Sequence, residues 1–382
     1  MEFLLESGFA NLSWGNALLF LVGGAFMLLA IIKGMEPYVL LPIGLGIILG
    51  NLPETGLADF DPSGELQSSG LFGLIFHFTL SSWNILPPLI FLGLGALTDF
   101  GPIIANPKTL LLGAAAQLGI FVAFWSALGL GFLTSPDLFT LEEAGAIGII
   151  GGADGPTTIF ASAKLAPELL GITAVVAYSY MASVVFVQPP LMRLLTTQRE
   201  RQIEMKTPRA VSRTEKLIFP TGAMLIIILF VPESAPLIAM FMIGNIFRES
   251  GVVPRLSNAA SNEVLNIATI FLMITIGAEL TAERVFDLKT LAILALGIVA
   301  FSCGTVGGLL FAKLMNLFVK EKVNPLIGSA GVSAVPMAAR TAHNLGQQAN
   351  PSNYLLPHAM GPNVAGVIGS AVVAGVFISI LG

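Results

Sequence analysis

Apolar runs of helical length, broken by short polar connections, make up most of the chain. They predict crossings near 17–32, 38–52, 85–98, 108–133, 169–190, 217–231, 237–249, 263–280, 290–313 and 356–381. Residues 109–136, 169–192, 290–312 and 341–382 contain no Asp, Glu, Lys or Arg. A hydrocarbon layer about 30 Å thick takes about 20 residues of helix to cross, and each of these stretches is long enough. The pattern predicts an all-alpha polytopic membrane protein. A transmembrane barrel is excluded, because it needs short segments of alternating polarity.

Two apolar stretches do not read as plain spans. Residues 144–163 hold Gly145, Gly148, Gly151, Gly152, Gly155 and Pro156 around Asp154, and 325–340 hold Pro325, Gly328, Gly331 and Pro336 before Arg340. Glycine and proline at this density interrupt a helix. Non-helical backbone persists at membrane depth only where protein or water satisfies it. Both stretches are therefore expected to be broken or re-entrant helix hairpins, and 66–82 a further partial entry from outside.

Short matches recur in a common order. Phe91-Leu92, Thr98-Asp99 and Lys108-Thr109-Leu110 are answered by Phe271-Leu272, Ala278-Glu279 and Lys289-Thr290-Leu291; Gly151-Gly152-Ala153 is answered by Gly328-Ser329-Ala330, and Ala163-Lys164 by Ala339-Arg340. The expected plan is an inverted repeat of two five-span halves, 1–192 and 217–382, each with its own broken hairpin. A basic linker, 193–216, joins them. An odd number of spans per half gives the halves opposite orientation, a construction found in ion-coupled transporters.

Charge sets the topology. Only 11% of the 382 residues are charged, mean hydropathy is +0.85 and the formal net charge is -5. The linker carries seven basic and three acidic residues, which places it in the cytoplasm by the positive-inside rule. Lys33, Lys108, Arg248, Arg255, Lys313, Lys320 and Lys322 then fall inside, and both termini outside. Glu2 and Glu6 precede the first run, so a cleaved basic leader is not expected. A single Cys excludes a disulfide framework. The acidic balance gives no reason to expect a nucleic-acid partner, and no phosphate-loop motif is present.

Candidate chemistry gathers in the two hairpins. Asp154, a carboxylate at membrane depth, reads as an ion ligand or as the cap of the helix after Pro156; Thr157 and Thr158 add hydroxyls. Asn324, Ser329 and Ser333 are neutral oxygen donors, with Ser329 and Ser333 spaced to share a helical face. Asn363, before an apolar run, reads equally as a cap or a ligand. Tyr180 is a hydrogen-bond or proton donor, or a packing residue. Arg340 is a boundary arginine or a carboxylate ligand. These residues leave open a secondary carrier, a Na⁺-coupled carrier of a carboxylate anion among them, the membrane part of a primary pump, or an intramembrane enzyme.

The motifs GGADGPTTIFASAKLAPELLG (151–171), AYSYMA (177–182), GNIFRESGVVPRLS (244–257), NPLIGSAGVSAVPMAAR (324–340) and HAMGPNVAGVIGSAVVAG (358–375) resemble the beta subunit of the sodium-translocating biotin-dependent decarboxylases. The resemblance implies a prokaryotic cell-membrane subunit that releases CO₂ from carboxybiotin, exports Na⁺ and consumes a proton. It implies Asp154 as the central Na⁺- and proton-linked carboxylate, with Asn324, Gly328, Asn363 and Ser329 around it. It further implies Tyr180 and Ser333 as a second Na⁺/H⁺ site, and Arg340 as the group that helps bind or decarboxylate carboxybiotin. The implied partners are an alpha carboxyltransferase subunit, a biotin carrier subunit or domain, a small gamma or delta membrane subunit and further beta copies. Oxaloacetate-type members carry a long insertion after the first two spans; the short acidic connection here resembles the acyl-CoA group, with methylmalonyl-CoA favoured narrowly.

Overall fold

The computed structural model describes residues 7–58, 70–134, 138–285 and 287–382, and among these every regular element is helical. The principal helices are α1 (Trp14–Lys33), α2 (Pro37–Gly50), α3 (Leu86–Leu97), α4 (Thr109–Ala116), α5 (Leu118–Thr134), α6 (Leu141–Ile150), α7 (Gly155–Leu165) and α8 (Leu170–Leu195). They continue as α9 (Arg213–Phe230), α10 (Ala235–Ser250), α11 (Leu265–Glu279), α12 (Leu288–Met315), α13 (Leu326–Ser329), α14 (Met337–Ala349) and α15 (Leu356–Leu381).

Each expected crossing coincides with a helix, except that 108–133 is covered by two, α4 and α5, which meet at Gln117. Among the described residues six helices are long and apolar enough to span a membrane, or seven if Leu71–Ser81 and Leu86–Leu97, bent by 69°, form one broken span. That bend falls at the expected partial entry, of which 66–69 lie outside the described residues. Local sequence explains several starts. Ser13, Thr140, Thr197 and Ser212 each cap a helix by accepting the backbone N–H three residues on, and each donates its own backbone N–H to the side chain there, that of Asn16, Glu143, Glu200 or Glu215, the reciprocal capping box.

Both expected hairpins are broken. The first is α6, a turn at Gly151–Asp154, then α7. The second is α13, an unwound stretch from Ala330 to Pro336, then α14. The expected limit at 340 falls in the first turn of α14, which runs on to Ala349, because Met337–Ala349 contains no further Pro. The linker is also shorter than 193–216: α8 reaches Leu195, Gln198–Arg201 form one helical turn, and α9 begins at Arg213.

Two tight helix crossings frame the interior. Where α2 meets α11, a Cβ on Gly46 would overlap the Ile274 carbonyl and one on Gly277 the Ile43 carbonyl; where α3 meets α10, one on Gly95 would overlap the Phe241 carbonyl and one on Gly244 the Leu92 carbonyl. Small residues let helix backbones approach where lipid supplies no hydrophobic drive. One core surrounds these crossings through Ile43, Ile47, Phe91, Phe241, Leu272 and Ile276. A second packs Leu326, Ile327, Val332, Ala338 and Ala342 against Phe301 and Leu309 of α12.

Candidate functional site

The break after α6 turns on Ala153, which adopts left-handed backbone (φ 55). Asp154 then caps α7, with Pro156 in its first turn, where a missing N–H costs nothing. Gly155 lies beneath the Tyr178 ring of α8, which a Cβ would strike. Asp154 is only 4% exposed. Its Oδ1 accepts the Thr157 N–H at 3.1 Å and its Oδ2 accepts the Ser370 hydroxyl of α15 at 2.8 Å. Asp154 is thus the helix cap, one of the two readings the sequence offered, and it also hydrogen-bonds across to α15.

The second hairpin comes to meet it. The Ser333 N–H donates to the Gly152 carbonyl at 2.8 Å, and the Ser333 hydroxyl lies 3.2 Å from that of Ser370. Asn363, set inside α15 rather than at its cap, donates from Nδ2 to the Ala330 and Val332 carbonyls at 3.0 and 2.8 Å, holding the unwound stretch. The Asn363 Oδ1, Thr157 Oγ1, Gln117 Oε1 and Gln188 Oε1 atoms are buried without a hydrogen-bond partner. Leaving such oxygens unpaired is costly; they are hard neutral donors of the type that suits Na⁺.

The other expected residues separate into distinct places. Ser329 and Ser333 share no helical face, because α13 ends at Ser329 and Ser333 lies in the unwound stretch. The Ser329 hydroxyl is spent on Leu326 O, and its own carbonyl accepts Gln188 Nε2 at 2.9 Å. Gly328 is a contact glycine, since a Cβ there would overlap the Gly308 carbonyl of α12. Asn324 turns its amide to the Arg201 and Ile203 carbonyls of the linker, both at 2.9 Å, and its Oδ1 accepts the Leu326 N–H at 3.0 Å. Its polar atoms are thereby committed away from Asp154. The Tyr180 hydroxyl donates to the Leu294 carbonyl of α12. Arg340 is exposed in the first turn of α14.

A cavity of about 450 Å³ reaches Asp154. Asp154, Gly155, Tyr178 and Ser333 line it on the hairpin side; Thr98, Asn262, Asn266 and Thr269 line it on the α3 and α11 side, together with Glu36 from the α1–α2 connection. Thr98 adjoins Asp99, which pairs with Lys216 at 2.8 Å. Burial pushes the Glu36 carboxyl above the usual carboxylate range, against the pull of the Arg340 guanidinium.

Sequence reasoning missed Ser370, Tyr178, Gln188 and Glu36. Ser370 was detectable: it lies two helical turns beyond Asn363, on the same face. Tyr178 and Tyr180 share the segment AYSYMA, and spacing does not choose between them. Gln188 and Glu36 gave no spacing signal.

Comparison with known proteins sets this geometry in a family. Residues 15–381 match the sequence model of the beta subunit of the Na⁺-transporting oxaloacetate decarboxylase. The chain is 53% identical to the methylmalonyl-CoA decarboxylase subunit beta of Propionigenium modestum, over 100% of this chain and 99% of the relative. It is 52% identical to the glutaconyl-CoA decarboxylase subunit beta of Acidaminococcus fermentans, over 99% and 96%. To the oxaloacetate decarboxylase beta chain of Klebsiella pneumoniae it is 48% identical, over 97% and 96%. With a carboxylate and neutral oxygens buried between two broken helices, and a match that runs the length of the molecule, the chain belongs to the family of beta subunits of Na⁺-transporting, biotin-dependent decarboxylases.

Proposed function

We propose that this subunit decarboxylates carboxybiotin brought to its linker end by a partner carrier, and couples CO₂ release to outward Na⁺ movement past Asp154. The cavity that brings Asp154 and Ser333 of the two hairpins into one lining carries this reading. Na⁺ occupies oxygens of the two hairpins near Asp154, Ser333 and Ser370, while Arg340 receives the carboxyl group. The C–N bond of the carboxylated biotin breaks, CO₂ leaves, and the electron pair stays on the ureido nitrogen, which takes up a proton. Loss of the carboxylate's negative charge weakens cation binding, the linker side closes, and Na⁺ leaves outward. Protonation of Asp154 from outside resets the site.

The crossings support the inverted-repeat plan. In each, the second helix of one half meets the third helix of the other: α2 on α11, and α10 on α3. Exchanging the halves carries one glycine-lined crossing onto the other, as a two-fold axis in the membrane plane requires. In the outward state Tyr180 leaves Leu294 and joins Ser333 at the second Na⁺/H⁺ site.

An acyl-CoA donor is the favoured one. Aligning the Klebsiella oxaloacetate chain takes 418 positions, against 377 for the Acidaminococcus glutaconyl-CoA chain, over nearly the same share of this chain. The working complex contains an alpha carboxyltransferase, a biotin carrier, a small gamma or delta membrane subunit and more than one beta copy. Avidin capture of the purified membrane complex tests the reading: Na⁺-stimulated CO₂ release from the captured material supports it. Avidin-insensitive, gradient-driven anion uptake would instead make the chain a secondary carrier.

A further inference from the structure

Glu36 has no part in the scheme so far, yet it lines the same cavity as Asp154. Among the residues lining that cavity these are the two carboxylates, and none is Lys, Arg or His. Tyr178 lines the same cavity as both acids, so the two charges act on one compartment. A cleft of one sign with low-dielectric walls concentrates the opposite ion. Glu36 also sits in left-handed backbone (φ 35), where glycine is the easier residue. Backbone convenience therefore does not account for a glutamate here, and its side chain makes no hydrogen bond among the described residues. The exposed Arg340 acts on Glu36 electrostatically.

We propose that Glu36 is the entry carboxylate of the Na⁺ path, drawing the cation into the cavity that it lines together with Asp154. The inference rests on the cavity being the Na⁺ route, as proposed above.

The test uses the reconstituted, avidin-purified complex carrying Glu36→Gln or Glu36→Gly, the second of which suits the left-handed backbone. Half-saturating Na⁺ for CO₂ release is expected to rise about fivefold in both, the effect of removing one partly screened charge. Maximal rate at saturating Na⁺ is expected to stay within about twofold, since the loss is of binding rather than of the chemical step. Glu36→Asp restores most of the affinity. Unchanged half-saturation in both variants would overturn the proposal. So would a fall in maximal rate alone, or failure of both variants to assemble, since either makes Glu36 a structural residue. Asp154→Asn, measured alongside, separates the two levels: normal coupled transport in that variant removes the cavity reading itself, whatever Glu36 does.

Discussion

The Ser333 N–H donates to the Gly152 carbonyl at 2.8 Å, so the two broken hairpins touch through unwound backbone. Next to that bond, the Ser370 hydroxyl ties the pair together, reaching Asp154 Oδ2 at 2.8 Å and Ser333 Oγ at 3.2 Å. Ser370 is therefore the hydroxyl that connects the carboxylate to the second hairpin. Ser370→Ala is expected to weaken apparent Na⁺ affinity about tenfold, the loss of one hydrogen bond to a charged group, while the complex still assembles. Na⁺ titration of CO₂ release measures it; an unchanged half-saturation would remove Ser370 from the site.

The crossing of α3 and α10 has no room for a side chain at Gly95. Gly95→Ala is expected to lower stability by about 3 kcal/mol, at the upper end for overpacking because the opposing atoms are backbone. Gly24→Ala faces nothing within 4 Å and serves as the neutral control. Thermal unfolding in detergent compares the two.

Lys289 of α12 pairs with the buried Glu143 of α6 at 2.7 Å. Lys289→Met strands that carboxylate and is expected to destabilise by about 2 kcal/mol, less than for a fully buried pair because Lys289 is one-third exposed. Adding Glu143→Gln removes the stranded charge and is expected to recover part of the loss, which a double-mutant thermal series reads out.

The linker should loosen in acid. The Arg209 guanidinium, with the Ser212 backbone N–H and hydroxyl, holds the Glu215 carboxyl down at about 2. A folded-state value below the unfolded one gives stability that is present above the unfolded value, about 4.3, and is lost as pH falls toward the folded value. Amide protection across 204–216, corrected for the intrinsic exchange rate at each pH, should stay constant from neutral pH to about 5 and fall between about 4 and 2. Arg209→Gln is expected to move that onset to higher pH.

The hairpins were legible because Gly and Pro punctuate apolar runs in a way that periodicity does not. The partners of Asp154 were less so. Ser329 and Ser333 are four apart, but the helix between them ends, and spacing says nothing of where unwinding begins. Asn324 stands before a hairpin like any ion ligand, yet the linker carbonyls of Arg201 and Ile203 take its amide, a contact across more than 120 residues. Asn363 reads equally as a cap or a ligand from its neighbours, while its amide hydrogen bonds go to carbonyls some 30 residues earlier that are freed only once the second hairpin unwinds. Local rules located the breaks; which oxygens gather there follows from tertiary packing.

Transport of ²²Na⁺ by the reconstituted complex carrying Asp154→Asn tests the central claim most directly. The account predicts that the complex assembles and binds avidin, yet neither moves Na⁺ nor raises CO₂ release when Na⁺ is added. Coupled uptake at the unmodified rate would contradict it, for the cavity would then lead to a carboxylate that the ion does not use.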